Sequence, residues 1–147
     1  MKALAAFLAV SLLGAASAAA VGLGPLEKSG VTDGAGKAFY LTLINPYPRA
    51  ERFTLEPHGL LDELPAPRVV IFPSAATVAP GGRRQVLVIV RHIAPGETYV
   101  FRVCAQRPPR PEESVHARVC SKLTARRLPA RVQHGDPRPG RIPARPA

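Results

Sequence analysis

The stretch RVVIFPSAATVAPGGRRQVLVIVRHIAPGETYVFRVCAQ, residues 68–106, decides the fold of this 147-residue chain. It contains two short apolar runs, at residues 69–72 and 86–90, and a third run, at residues 99–103, in which apolar and other residues alternate. Proline and glycine separate the runs, at Pro73, residues 79–82 and residues 94–96. Runs of this length, rich in valine and isoleucine and bounded by breakers, are typical of strands, because a helix needs a longer uninterrupted stretch. A strand about every ten residues predicts a β-sandwich.

The flanking sequence extends the same pattern. A weak strand is predicted in residues 21–31, where Pro25 favours an edge position because proline has no N–H to donate. Strong or alternating strands are predicted at residues 38–44, 52–56 and 114–125. The sequence therefore predicts an all-β sandwich of about seven strands over residues 21–128. Its core candidates are Phe39, Leu41, Leu43, Phe53, Ile71, Val86, Val88, Tyr99, Phe101 and Val103.

The amino terminus has the features of a secretory signal peptide. One charge, Lys2, precedes an apolar run over residues 3–13, and small residues follow at 16–20. A membrane anchor is the alternative, but the run is short for a hydrocarbon layer of about 30 Å. We expect residues 1–20 to be removed after Ala18 or Ala20, and the mature protein to be exported and soluble without spanning the membrane.

Charge is concentrated at the carboxyl terminus. Without Lys2 the chain keeps 19 of its 20 basic residues against 10 acidic ones, a formal net charge of +9. Six arginines and one acid lie in residues 126–147, and prolines recur there. Residues 129–147 are therefore predicted to be a disordered basic tail, because they contain too few apolar residues for a core. The tail either binds an anionic cell-surface polymer or is a solvated terminus. Nucleic acid is not expected as a partner, because no aromatic residues are interleaved with the arginines.

The two cysteines fall on the polar faces of two successive predicted strands. In one strand, Cys104 is on the face opposite to that of Phe101 and Val103. In the next strand, Cys120 is on the face opposite to that of Val119. If these strands pair as a hairpin, the cysteines meet across it, and export to an oxidising compartment favours a disulfide. A metal or redox pair is the alternative, although the spacing is not CxxC.

Catalytic and metal-binding patterns are not found in the sequence. No nucleophile pair, carboxylate cluster or phosphate loop is present, so we expect a protein that is not an enzyme and needs no cofactor or metal. The histidines are scattered and are expected at the surface: His58, His92, His116 and His134.

The order of motifs resembles the amino-terminal immunoglobulin-like domain of the periplasmic pilus-assembly chaperones. The resemblance covers residues 38–128 and rests on a strand ending in Asn45-Pro46, a strand ending in Pro73, the turn at residues 79–82, a strand beginning at Gln85 and an aromatic strand followed by Pro108-Pro109. It implies an immunoglobulin-like sandwich and a chaperone for pilus or fimbria subunits that is located in the periplasm. In that family a second sandwich domain begins where this chain enters its proline-rich tail.

The resemblance also implies a site. Chaperones of this kind add a strand to a subunit that lacks one, and the candidates for that donor strand are Val115, Ala117 and Val119. The family holds the subunit's terminal carboxylate with two basic residues, for which Lys122 and Lys28 are the candidates. Two functions are open: a chaperone-like binding protein in surface-fibre assembly, or a structural envelope protein whose basic tail binds an anionic polymer.

Overall fold

The computed structural model describes residues 21–112 and 116–130. The predicted signal peptide and residues 131–147 of the predicted tail lie outside this part. The described residues form nine strands and no helix. In chain order the strands are β1 (Gly22–Gly24), β2 (Glu27–Thr32), β3 (Lys37–Ile44), β4 (Glu51–Gly59), β5 (Val69–Phe72), β6 (Ala75–Val78), β7 (Arg83–Val90), β8 (Thr98–Gln106) and β9 (Arg118–Arg127).

The strands form two sheets that enclose one core. The four-stranded sheet has the order β1-β3-β7-β5, and the five-stranded sheet has the order β2-β9-β8-β4-β6. Strand pairs are antiparallel except β2 and β9, which are parallel. The predicted all-β sandwich is thus confirmed.

Two prolines explain why the strand number exceeds the predicted seven. The chain passes from the four-stranded to the five-stranded sheet at Pro25, so the segment predicted as one strand is divided into β1 and β2. It makes the same passage at Pro73, between β5 and β6. Proline cannot donate to a ladder, so pairing stops at these points. The sequence did not predict β6, because Val78 is its only large apolar residue.

The core lies between the sheets and follows the period-two alternation of the strands. Nine of the ten predicted core residues are at most 6% exposed, and the tenth, Tyr99, packs against the core from its margin. Phe39 of one sheet meets Phe101 of the other edge-to-face, with ring centroids 6.4 Å apart. Continuous contact of this kind between the two inner faces is the main stabilising term for the sandwich.

Two Pro-Gly turns join β6 to β7 and β7 to β8. Gly81 and Gly96 both have positive φ, 65° and 79°. In each turn the fourth residue donates its N–H to the first carbonyl, from Gly82 to Ala79 at 2.9 Å and from Glu97 to Ala94 at 3.0 Å. Proline at the second position and glycine with positive φ at the third are typical of a type II turn. The positive φ explains why glycine occupies the third position of both turns.

Asn45 is a buried polar residue that fixes the end of β3. Its side-chain amide donates to the carbonyls of Arg49, Val78 and Ala79 at 2.8, 2.8 and 3.1 Å. Its side-chain oxygen accepts the N–H of Tyr47 at 2.9 Å. The amide therefore connects the β3–β4 loop with the turn that leads into β7.

Candidate functional site

Strand β9 is paired with β8 along nearly its full length on one side, but on the other side it is paired with β2 along only part of its length. It pairs with β8 from Arg118 to Arg126, whereas its parallel pairing with β2 begins at Lys122 and ends at Arg127. Within the described part of the chain, no main-chain hydrogen bond joins residues 118–121 to anything but β8. We refer to residues 118–121 as the open edge.

The disulfide defines which main-chain groups the open edge presents. Cys104 and Cys120 lie directly opposite in the β8–β9 ladder and are joined by a disulfide, which confirms the predicted pairing. Their Cα atoms are 4.0 Å apart, close to the spacing of a pair without mutual hydrogen bonds. The N–H and C=O of Cys120 therefore point away from β8. Two residues later the N–H of Lys122 has the same direction and donates to the carbonyl of Leu26 at 2.8 Å.

By the same alternation, Arg118 and Cys120 direct their main-chain groups outward at the open edge. These groups form a short template for another strand. Leu26 and β2 occupy the continuation of this edge, so a strand added there would lie end to end with β2.

Lys122, the first predicted anchor, lies where the open edge ends and β2 begins. Its register partner across the parallel pair is Glu27. The Lys122 ammonium lies 2.6 Å from Oε1 of Glu27, and the two side chains are 44% and 62% exposed. The candidate cation is thus already paired with a carboxylate of its own chain.

The side chain of Lys28, the second predicted anchor, extends from β2 on the face of the sheet opposite to that of Lys122. Its register partner is the buried Leu123, and its ammonium donates to the carbonyl of Tyr40 at 3.3 Å. The structure therefore does not bring Lys28 and Lys122 together.

The predicted donor-strand residues are placed differently from one another. Val115 lies outside the described residues. Ala117 is half-buried just before β9, and Val119 is inside β9, partly buried against the protein's own core. Ser121, next on that face, is fully buried, and its hydroxyl donates to the carbonyl of Pro25 at 2.6 Å. The side chains on this face are therefore partly used by the domain itself.

Charged side chains cover the outer face of the five-stranded sheet beside the open edge. The carboxylate of Glu63 accepts from Arg118 at 2.8 Å and from Arg102 at 3.1 Å. The hydrogen bond from Arg118 is the largest cause that lowers the pKa of Glu63 below its usual value, with Arg102 acting in the same direction. The loop after β4 is held over the sheet by these contacts.

His58 corrects one prediction, since it is buried beneath that loop and not at the surface. It is 9% exposed, and its Nδ1 lies 3.2 Å from the carbonyl of Glu63. Its other ring nitrogen is 3.6 Å from a carboxylate oxygen of Glu56. The sequence does not show this burial because it depends on the fold of the loop over the strand.

The outer face of the four-stranded sheet has the opposite character. Tyr40, Leu87 and Phe72 form one register row across three strands, and Ala38, Ile89 and Val70 form the next row. Tyr40 and Phe72 are 54% and 53% exposed. The uninterrupted apolar runs in β5 and β7 are the sequence signal for this face, because strands with one solvated face alternate instead. An apolar area of this kind is typical of surfaces that contact other macromolecules.

Other site types are not found in the described residues. Residues 21–112 and 116–130 contain no group of three or more potential metal-binding side chains and enclose no pocket. None of their secondary-structure elements is a helix able to span a membrane.

Comparisons with known proteins identify the fold. No protein-family model matches the sequence, and no curated protein matches it. Among solved structures, the chaperone DraB of E. coli superposes with a TM-score of 0.57 at 20% identity, covering 74% of this chain and 55% of that one. A structure of the Salmonella enterica SafA pilin in complex with the SafB chaperone gives a TM-score of 0.60 at 19% identity, covering 74% and 54%.

A third similar structure is the PapD-like domain of human CEP192, with a TM-score of 0.58 at 15% identity, covering 76% of this chain and 87% of that one. The chain thus spans about half the length of the bacterial chaperone chains it matches. The predicted resemblance to an immunoglobulin-like domain of pilus-assembly chaperones is confirmed at the level of the fold. Because the human domain shares this fold, the fold alone does not determine what this chain binds.

Proposed function

We propose that this chain is a periplasmic chaperone-like binding protein in pilus or fimbria assembly. It binds a subunit that lacks a strand by β-strand addition along the open edge. One observation carries the proposal: β9 is paired on both sides from Lys122 onward but only with β8 over residues 118–121. The similarity in fold to bacterial pilus chaperones supports the same function.

The direction of the added strand follows from the position of the anchor. Lys122 lies directly after the carboxyl-terminal end of the open edge. A client whose terminal carboxylate reaches this ammonium must therefore run parallel to β9, as β2 does. Main-chain hydrogen bonds with Arg118 and Cys120 supply the affinity, and the carboxylate fixes the register.

Side-chain contacts have a smaller role in this proposal. Strand alternation in the sequence predicts that Val115, Ala117 and Val119 share one face. Ala117 and Val119 contact the client's groove only as far as the domain's own core leaves them accessible. Lys28 would take part only after releasing the Tyr40 carbonyl. The function proposed is binding and not catalysis, because it needs only a main-chain ladder and one charge. The partner is a protein, and the exposed apolar row at Tyr40 and Phe72 also supports a macromolecular partner.

The test uses the 15N-labelled full-length mature protein and a synthetic probe. The probe is an acetylated octapeptide of alternating valine and threonine with a free terminal carboxylate. Titration should shift the amide signals of Arg118 and Cys120 and slow their hydrogen exchange. Arg118→Pro removes one outward N–H without removing a bond to β8, so it should weaken binding about fivefold, the effect of losing one main-chain hydrogen bond of about 1 kcal/mol.

Arg118→Ala is the matched control, because it removes the same ion pair with Glu63 but keeps the N–H. It should bind the peptide within about twofold of the original protein, since exposed ion pairs contribute little. Equal loss in both variants, or shifts confined to the tail, would contradict strand addition. Retention on dextran sulfate that disappears when residues 129–147 are deleted, without any peptide binding, would support the structural envelope protein instead.

A further inference from the structure

Glu27 is the first residue of β2, and it stands where a client strand on the open edge would end. It faces Lys122 in the parallel register, and its carboxylate lies 2.6 Å from the Lys122 ammonium. Arg102, the neighbour of Lys122 on β8, directs its guanidinium to Gly59, Asp62 and Glu63 instead. Within the described residues, Glu27 is the acid that neutralises Lys122.

We propose that Glu27 is a resident competitor for the client's terminal carboxylate. This inference rests on the proposed function, since it concerns the same anchor. In the free protein the Glu27 carboxylate occupies Lys122, and a client must displace it to place its own carboxylate there. The pair is 44% and 62% exposed, and exposed ion pairs are weak, so displacement is feasible while the competition lowers affinity.

Glu27 is not needed to hold β2 in place. Six residues of β2 are in register with β9, and the Lys37 ammonium also donates to the carbonyl of Val31 at 3.0 Å. The main chain of Leu26 is fixed separately by the N–H of Lys122. Glu27→Gln should therefore remove the competing charge and leave the strand and the open edge unchanged.

The inference makes a prediction about the chemistry of the client's end. Once Glu27 is neutral, the Lys122 ammonium can interact with an incoming carboxylate without a second carboxylate beside it. Glu27→Gln should thus favour a strand that ends in a carboxylate and should not change binding of one that ends in an amide. The residue sets how strongly the site distinguishes a chain end from an internal strand.

The experiment compares the octapeptide with its carboxamide form on four proteins: the original, Glu27→Gln, Lys122→Ala and the double variant. Glu27→Gln should bind the carboxylate peptide about two- to fivefold more tightly, the range of an exposed ion pair, and the amide peptide unchanged. In the Lys122→Ala background the gain should disappear, apart from a small nonspecific effect of net charge. Glu56→Gln measures that effect, because it removes one carboxylate from the same outer face, on β4, away from Lys122.

The outcomes separate this inference from the proposed function. If Lys122→Ala weakens the carboxylate peptide but Glu27→Gln acts no differently from Glu56→Gln, the competitor role is overturned and the strand-addition site stands. If Glu27→Gln tightens both peptides equally, the effect is general electrostatics and the inference is also overturned. If neither peptide binds any variant, both proposals are overturned together.

Discussion

Arg68 and Glu97 form a two-pronged ion pair that ties the residue before β5 to the residue before β8. Nη1 of Arg68 donates to Oε1 at 2.7 Å, and Nη2 donates to Oε2 at 3.0 Å. The N–H of Ala94 donates to Oε2 at 2.6 Å. These bonds favour the charged carboxylate, first through Arg68 and then through Ala94, and lower the pKa of Glu97 to about 2.

The first prediction concerns acid stability. Because the pKa of Glu97 is lower in the folded state than its ordinary value of 4.5, the ionised group stabilises the fold above about pH 4.5. That contribution is lost as the pH falls from about 4.5 toward 2. Glu97→Gln should therefore unfold more easily at neutral pH and lose less stability between about pH 5 and pH 2.5. Urea unfolding at several pH values measures both effects.

Glu112→Gln is the control for this experiment, because it removes an equal charge from an exposed turn. Some acid dependence should remain in Glu97→Gln, since the pKa of Glu63 is lowered as well, chiefly by its hydrogen bond with Arg118. Identical pH profiles for Glu97→Gln and the original protein would show that the ion pair does not contribute to folding.

The sequence predicted the features of the fold that depend on neighbouring residues. Valine-rich runs between Pro and Gly turns located β5, β7 and β8, and alternation assigned Phe101 and Val103 to the core. It also placed Cys104 and Cys120 on matching faces of consecutive strands, which the structure joins in a disulfide. Local periodicity and turn chemistry are sufficient for such features because strand faces and short connections follow from adjacent residues.

Features that depend on distant residues were not predictable in this way. The register of β2 on β9 joins Glu27 to Lys122, 95 positions apart, and no sequence pattern fixes the alignment of strands so far separated. The extent of the open edge depends on the same register. His58 was expected at the surface because only the folded loop carrying Glu63 buries it. The candidate site is therefore a tertiary feature, although the strand that carries it was predicted.

A second prediction concerns Asn45, which is fully buried and makes four hydrogen bonds through its side chain. Asn45→Ala leaves the Tyr47 N–H and the three carbonyl oxygens without this partner. Leaving buried polar groups unpaired costs about 1–3 kcal/mol for each group, so the free energy of unfolding should fall by about 2–4 kcal/mol after partial relaxation. Urea unfolding at neutral pH measures this loss.

Asn45→Asp distinguishes hydrogen bonding from packing. It keeps the side-chain volume and the acceptor for Tyr47, but it replaces the donor with a carboxylate oxygen that faces the Val78 and Ala79 carbonyls. We expect Asn45→Asp to be at least as unstable as Asn45→Ala at neutral pH. Stability close to that of the original protein would mean that the volume of Asn45, and not its donor group, is what matters.

The last prediction concerns the disulfide and the open edge together. The cross-link joins residues separated by 16 positions, and closing a loop of about 15 residues stabilises a fold by about 3 kcal/mol in the chain-entropy model. The bond also lies in the part of β9 that β2 does not cover, so it fixes the open edge to β8. Replacing both Cys104 and Cys120 by alanine should therefore lower global stability and loosen residues 118–121 more than residues 122–127.

Hydrogen exchange can separate these two effects. The amides of Val119 and Ser121 point toward β8, by the same alternation that directs Cys120 outward, and they should lose the most protection in the double alanine variant. Amides in the part of β9 that is paired with β2 should lose only as much protection from exchange as the fall in global stability accounts for. Reducing the original protein should reproduce the pattern, whereas reductant should not affect the variant. A uniform loss along β9 would show that the disulfide stabilises the sandwich as a whole and has no separate role in holding the open edge.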